Sequence, residues 1–249
     1  MSVVSLANVS LEYPIFNSGS RSLQIHLYKA LGGHIAVHDH KLVVEALRDV
    51  TLELEDGDRL GIVGHNGAGK TSLLRVLSGV YTPTSGSARV DGAVSSLTDI
   101  TLGMDLEANG WDNIVFRSVF LGLTFREARR KAPEIGAFTE LGDFLNLPIR
   151  TYSAGMFLRL AFAISTSVNA DVIIMDEMIG AGDASFVEKA QKRIEELLGT
   201  TRVVVLASHN LAILSQIANK VLWLEKGCVR MLGPTQDVLG AYMASVAHA

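Results

Sequence analysis

Three short stretches carry the residue types that phosphate chemistry needs. GHNGAGKT, Gly64–Thr71, fits G-x-x-x-x-G-K-[ST] at every fixed position. Its glycines, Gly64, Gly67 and Gly69, let the backbone curl until its N–H groups turn inward on phosphate oxygens. His65, Asn66 and Ala68 fill the variable places. A helix starting near Lys70 adds the positive end of its dipole. Lys70 is then placed to reach the β- and γ-phosphates, and the Thr71 hydroxyl to hold Mg²⁺, with Ser72 next along. The second stretch, DVIIMDE, ends an apolar run in Asp176 and Glu177. A carboxylate at the tip of a central parallel strand points into the crevice where α/β sheets bind ligands. Asp176 is the expected Mg²⁺ partner, and Glu177 the expected base that orients or deprotonates an attacking water. The third stretch, Ser208-His209-Asn210, follows the apolar run Val203–Ala207. It brings His209 to the same edge, within reach of a γ-phosphate and the water. Taken singly these are a glycine turn, a strand-ending acid pair and a structural histidine; their conjunction is what favours nucleotide chemistry.

The elements that must position them alternate in kind. Val3–Glu12 and Val43–Glu55 alternate apolar and polar, the pattern of half-buried strands. Leu60–Val63 is a short strand ahead of the glycines, and a helix is expected from Lys70 to Leu77. Val172–Met175, Val203–Ala207 and Val221–Leu224 are continuous apolar runs, which suit strands covered on both faces. Phe186–Leu198 puts Phe186, Ala190, Ile194 and Leu197 on one helical face. Lys226-Gly227 turns the chain back into Cys228–Leu232 as a hairpin, and Thr235 is placed to cap a last helix. From about Ile100 to Pro148 strand runs disappear, and helices at Gly110–Leu121 and Phe125–Glu140 are expected. The fold class is therefore α/β, a P-loop core with a mixed sheet, an antiparallel β part and an inserted helical part. As residues, the core is 1–98 and 169–249, the helical part about 99–168, and an extra insertion 14–41. Within that insertion Ser22–Leu31 reads as an amphipathic helix stopped by Gly32-Gly33. His26, His34, His38 and His40 lie there; His34 and His38 have helical-turn spacing, but the two glycines interrupt the helix, so solvated loop histidines are expected rather than a zinc site.

Totals narrow the function. The chain has 249 residues, 48% hydrophobic, with a net charge of −4. That acidity argues against a chain whose task is neutralising nucleic-acid phosphates. Cys228 is the single cysteine, so no internal disulfide can form and a reducing compartment fits. Residues Met1–Asn8 lack the pattern of a secretory signal, and no segment has the roughly 18 uninterrupted apolar residues of a spanning helix.

One stretch remains without a job in a lone chain. Tyr152-Ser153-Ala154-Gly155-Met156 opens an apolar helix far from the other glycine-rich loop. Ser153 can cap that helix, and its hydroxyl with the free N–H groups of the first turn makes a second anion site. Gly155 removes a side chain that would block close approach. Two chains facing head to tail would use both sites, each lending its Ser153 turn to the nucleotide on the other's Lys70 loop.

At this point the sequence resembles the nucleotide-binding subunit of an ABC transporter over nearly its whole length. GHNGAGKT looks like the Walker A motif, YSAGM stands in the place of the LSGGQ signature with Ala154 for the first Gly, and DVIIMDE looks like Walker B with the catalytic Glu. By the same resemblance Gly180–Asp183 is the D-loop, with Asp183 at the nucleotide, His209 is the switch histidine, and Tyr13 is the aromatic that stacks on adenine. The family's glutamine between core and helical part is missing; Asp99 stands near its place and is the expected substitute at Mg²⁺ or water. YSAGM, the LGMDLEANGWDN run, GAGD and SLEYPIFNSGSRSL look similar to polysaccharide exporters serving O-antigen, capsule or teichoic-acid export. What this implies is an ATP- and Mg²⁺-dependent ATPase that dimerises with a second copy. It would work an integral membrane permease at the cytoplasmic face of the bacterial inner membrane, and meet the glycan only indirectly. The form expected here lacks the C-terminal carbohydrate-binding domain that some such subunits carry. The alternatives are an exporter ATPase for capsule or teichoic acid, a soluble ABC-type switch without a transport role, or a P-loop phosphotransferase, which leaves Ser153–Met156 and His209 unused.

Overall fold

A computed structural model describes residues 3–14, 34–38, 41–98, 100–177 and 184–247. The chain divides into two compact units: Met1–Val94 with Val172–Glu177 and Arg202–Ala249, and Ser95–Asp171 with Met178–Thr201.

The first unit holds two sheets. The antiparallel one is built from β1 (Val4–Pro14), β2 (His34–His38), β3 (Lys41–Leu54) and β5 (Ser85–Val90), in the order β2-β3-β1-β5. The expected alternation is there: Val4, Leu6, Val9 and Leu11 of β1 are buried, as are Leu47, Val50, Leu52 and Leu54 of β3. The second sheet lines up β10 (Cys228–Pro234), β9 (Lys220–Glu225), β4 (Arg59–Val63), β8 (Val203–Ala207) and β7 (Val172–Asp176) in that order. β4, β7, β8 and β9 pair in parallel, and the β9–β10 hairpin closes the edge; β6 is the short strand Val94–Ser96. β8 is buried at every position and β7 at all but its last, as their unbroken apolar runs require. Helix α1 (Lys70–Leu77) sends Leu73, Leu74, Val76 and Leu77 into the core these strands share.

The second unit is helical: α2 (Gly110–Phe120), α3 (Phe125–Thr139), α4 (Ala154–Ser165) and α5 (Ala184–Thr200). Asn109 caps α2 and Thr124 caps α3 with a reciprocal Glu127 bond, a capping box. The sequence reading groups Phe186–Leu198 with the α/β core, whereas the structure groups that helix with the helical unit. The cause is aromatic: Phe186 sits edge-on to Phe138 and Phe162 at 5.7 and 5.9 Å. In the first unit a short helix, α6 (Leu211–Ile217), and the last, α7 (Thr235–Ala247), complete the chain.

Three expectations change. Residues 34–38 are a strand and not the expected loop, which puts His34 and His38 about 13 Å apart along the backbone. Thr235 is the first residue of the last helix and not the residue before it, and its hydroxyl donates to the Ala218 carbonyl at 2.7 Å. β2 and β5 have no counterpart in the sequence reading. The expected helix Ser22–Leu31, with His26 and His40, lies outside the described residues.

Candidate functional site

The phosphate loop leaves β4 at the buried centre of its sheet. Gly64, Gly67 and Gly69 all take positive φ, at 154, 78 and 103°. Packing adds to conformation here: a Cβ on Gly64 would lie 2.3 Å from the Leu224 carbonyl, and one on Gly69 2.5 Å from that of Ala46. Gly69→Ala is therefore expected to lower the melting temperature and abolish nucleotide binding together, as thermal unfolding and a fluorescent-ATP titration would show. Helix α1 has Gly69 at its cap position, so no side chain caps it, and no acid stands in its first turn; its leading N–H groups stay available to an anion. The Lys70 ammonium donates to the carbonyls of Gly64 at 2.7 Å and His65 at 3.1 Å. Burial holds it below the ordinary lysine range, while the carboxylates of Asp176 and Glu177 pull the other way.

The acids arrive by strand register. Asp176 pairs with Ala207 across β7 and β8, so Glu177 and the Ser208–Asn210 turn emerge side by side at the carboxyl edge. The Thr71 hydroxyl donates to Asp176 Oδ2 at 3.0 Å. Glu177 sits in the left-handed region at φ 65° and donates its N–H to the Ala207 carbonyl at 2.7 Å. A glutamate held there is a local strain that aims an exposed carboxylate. Ser208 and Asn210 are structural: Asn210 N donates to Ser208 Oγ, and Asn210 Oδ1 caps α6 through Ala212 N and Ile213 N. His209 between them is left exposed.

A cavity of about 390 Å³ gathers Tyr13, Asn66, Gly67, Ala68, Gly69, Lys70, Thr71, Ser72, Asp176, Glu177 and His209. Its size falls in the range of small-molecule sites. Tyr13 donates to Ser72 Oγ at 3.1 Å and stands edge-on to Tyr81 at 5.6 Å. Gly64 and His65 do not line it. Gly64 faces a second cavity of about 300 Å³ toward α7, and the His65 ring lies 6.0 Å from that of Tyr242. Val44, Glu45 and Ala46 of β3 also line the nucleotide-sized cavity, and Gly227 donates to Ala68 of the loop. Sequence reasoning missed all four because their part is set by pairings far apart in the chain.

Ser153, Ala154 and Gly155 belong to the helical unit. Ser153 Oγ accepts from Met156 N at 3.2 Å, the expected cap, and α4 has no acid in its first turn. As an acceptor in that bond, the hydroxyl keeps its proton to donate elsewhere. Gly155 has helical φ, and a Cβ there would meet only Ser153 Oγ at 4.0 Å. Its own fold does not require glycine. Asp99 and Asp183 lie outside the described residues.

The chain matches the sequence model of the family described as "ABC transporter" over residues 47–180. It is 41% identical to the O-antigen export system ATP-binding protein RfbE of Yersinia enterocolitica, over 92% of this chain and 97% of that one. It is 32% identical to the O-antigen export system ATP-binding protein RfbB of Klebsiella pneumoniae over 98 and 99%. It is also 32% identical to the teichoic acids export ATP-binding protein TagH of Shouchella clausii, over 95% of this chain and 64% of that one. Among solved structures it resembles a dimeric post-hydrolysis ATP-binding cassette bound to ADP and Pi. The TM-score is 0.67 at 20% identity, over 93% of this chain and 98% of that one, a likeness of fold.

Proposed function

We propose, because the chain belongs to the ABC transporter family, that it is the ATP-hydrolysing subunit of a transporter exporting a lipid-linked polysaccharide of the O-antigen type. The observation that carries the ATPase is the convergence of Lys70, Thr71, Asp176, Glu177 and His209 in one cavity. O-antigen is preferred over teichoic acid because the relative at 41% identity is an O-antigen export protein covered over 97% of its length, against 32% identity and 64% for the teichoic-acid relative. The whole chain acts as one nucleotide-binding domain in which the helical part is an insertion.

The residues present fit a magnesium nucleotide. Thr71 Oγ1 and Asp176 Oδ2 lie 3.0 Å apart, about the edge of an octahedron with bonds near 2.1 Å. Thr71 and Asp176 would hold the cation, with Asp99 a further candidate, and bound Mg²⁺ would neutralise charge building on the phosphates. The curled backbone from Gly64 to Gly69 and the free N–H groups of α1 bind the β- and γ-phosphates, and the Lys70 ammonium exchanges its carbonyl partners for their oxygens. Glu177 orients the water and takes its proton, and His209 contacts the γ-phosphate. Tyr13 borders the adenine end.

Ser153, Ala154 and Gly155 serve the nucleotide of a second copy, with Asp183 at the joint. Gly155 supports this: it is open, helical and unneeded by its own fold. Gly155→Ala should therefore raise the melting temperature slightly, by about 0.5–1 kcal/mol of helix stability, while lowering turnover. A loss of turnover that tracks a loss of stability would contradict it. Turnover should also rise with the square of protein concentration in the dilute range, because each site needs two chains.

Among the described residues no helix is long and apolar enough to cross a membrane. The likeness to export-system ATP-binding proteins supports a place at the cytoplasmic face of the inner membrane, through a permease subunit. This chain's contact is the helical unit, where Leu102, Leu106, Phe116 and Phe120 are each exposed, the last 62%. Co-purification tests this: a multi-span membrane protein should accompany the chain, and its lipid-linked glycan should stimulate ATP hydrolysis. A complex stimulated by RNA or ribosomes instead would overturn the export reading.

A further inference from the structure

The run MDLEANGWDN and the helix start at Ser153 are separate in sequence and joined in the helical unit. Ile149 N donates to the Ala108 carbonyl and Arg150 N to that of Leu106, each at 3.0 Å. Asn109 and Pro148 form an antiparallel bridge between them, and Arg150 pairs with Glu107 at 3.1 Å. Segment 106–109 is thus laced to segment 148–150, which runs directly into Tyr152 and Ser153.

The lacing has a stiff side. Asn113, fully buried, accepts from Asp105 N at 2.8 Å. Its amide donates to the carbonyls of Asp105, Ala108 and Asn109 at 2.9, 3.2 and 2.9 Å. One side chain therefore fixes the loop to α2. Tyr152 is seated on the same corner. Its hydroxyl donates to the Phe144 carbonyl at 2.8 Å, and a Cβ on Gly110 would lie 2.5 Å from the tyrosine hydroxyl oxygen. Gly110 is what lets the tyrosine in. Leu102 and Leu106, both about half exposed, stand on the outer part of this loop.

We propose that Tyr152 is a positioning residue, which seats the Ser153 turn against the 105–110 segment. Wherever the apolar 102–106 loop is held, the Ser153 turn is held with it. This rests on the reading that Ser153 serves the nucleotide of a second copy, and adds how that turn is set. Tyr152 touches no phosphate. It acts through the hydrogen bond to Phe144 and its packing on Gly110.

The test uses the full chain carrying Glu177→Gln, with ATP and Mg²⁺, and reads dimer formation by sedimentation and single-chain nucleotide affinity with a fluorescent ATP. Adding Tyr152→Phe removes one hydrogen bond and keeps the ring. Dimerisation should then need about 3- to 10-fold more protein, with single-chain nucleotide affinity unchanged and the melting temperature lowered by no more than about 4 °C. Gly110→Ala should do the same more strongly; if it does not fold, Tyr152→Phe decides. A Tyr152→Phe chain that dimerises at the parent's concentration overturns the proposal, as does one whose nucleotide affinity falls in step with dimerisation. If the Glu177→Gln parent does not dimerise with ATP, the shared-site reading fails first and takes this proposal with it.

Discussion

Glu177→Gln is expected to bind ATP as the parent does, to accumulate as an ATP-bound dimer, and to turn over about 100- to 10,000-fold more slowly. The expected size follows from how the residue is held. Its backbone is placed by a 2.7 Å bond to Ala207 and by the strand register that ends β7, and not by contacts of the carboxylate. Glutamine keeps the shape and the backbone, so the fold and the nucleotide cavity should survive. What disappears is the ability to accept a proton from water. Single-turnover hydrolysis with radiolabelled ATP, alongside sedimentation, measures both halves. A variant that hydrolyses at the parent's rate would remove Glu177 from the chemistry. One that neither binds nor dimerises would mean the substitution had damaged the loop.

Lys70→Ala is expected to fail earlier, at binding. The ammonium is half withdrawn from water and shifted toward its neutral form by burial, with the nearby carboxylates opposing that shift. Two loop carbonyls accept its hydrogen bonds. A nucleotide offers it formal negative charge in their place, so the exchange is favourable where the carbonyls alone offer only dipoles. Removing one side of such a charge-assisted contact costs about 2–5 kcal/mol, roughly a 30- to 5,000-fold loss of affinity for the triphosphate. A calorimetric titration with ATP and Mg²⁺ reads it directly. The melting temperature without nucleotide should move little, because Lys70 supports only loop carbonyls. Retained affinity at the parent's level would exclude contact between Lys70 and the phosphates.

Much of this site was legible because its residues are local to motifs with their own geometry. The glycines of 64–69 announce a curl, and the structure shows positive φ at Gly64, Gly67 and Gly69. Asp176, Glu177 and His209 follow unbroken apolar runs, and such runs are central parallel strands whose ends meet at one edge. What escaped reading was set by partners distant in the chain. Nothing local marks Ala46 as the carbonyl that forbids a side chain at Gly69, or Tyr242 as the neighbour of the His65 ring. Strand β5, Ser85–Val90, is exposed along nearly all its length and carries no apolar alternation, so its pairing with β1 is what makes it a strand. Helix α5 reads as amphipathic in either unit; the aromatic pairings of Phe186 decide where it packs. Likewise the asparagines and glycine of MDLEANGWDN enter the sequence reading only as part of a run that marks a resemblance. Their work as cap, tie and clearance appears only once Tyr152 is placed beside them.

Mixing two inactive chains tests the head-to-tail arrangement most directly. One chain carries Lys70→Ala and keeps its Ser153 turn; the other keeps Lys70 and carries Ser153→Arg. If each nucleotide lies between a Lys70 loop and the opposite chain's serine turn, half the dimers in an equal mixture hold one intact site. ATP turnover should then recover to roughly a quarter of the parent's. Turnover that stays at the sum of the two separate variants, at every mixing ratio, would mean that each protomer completes its site alone.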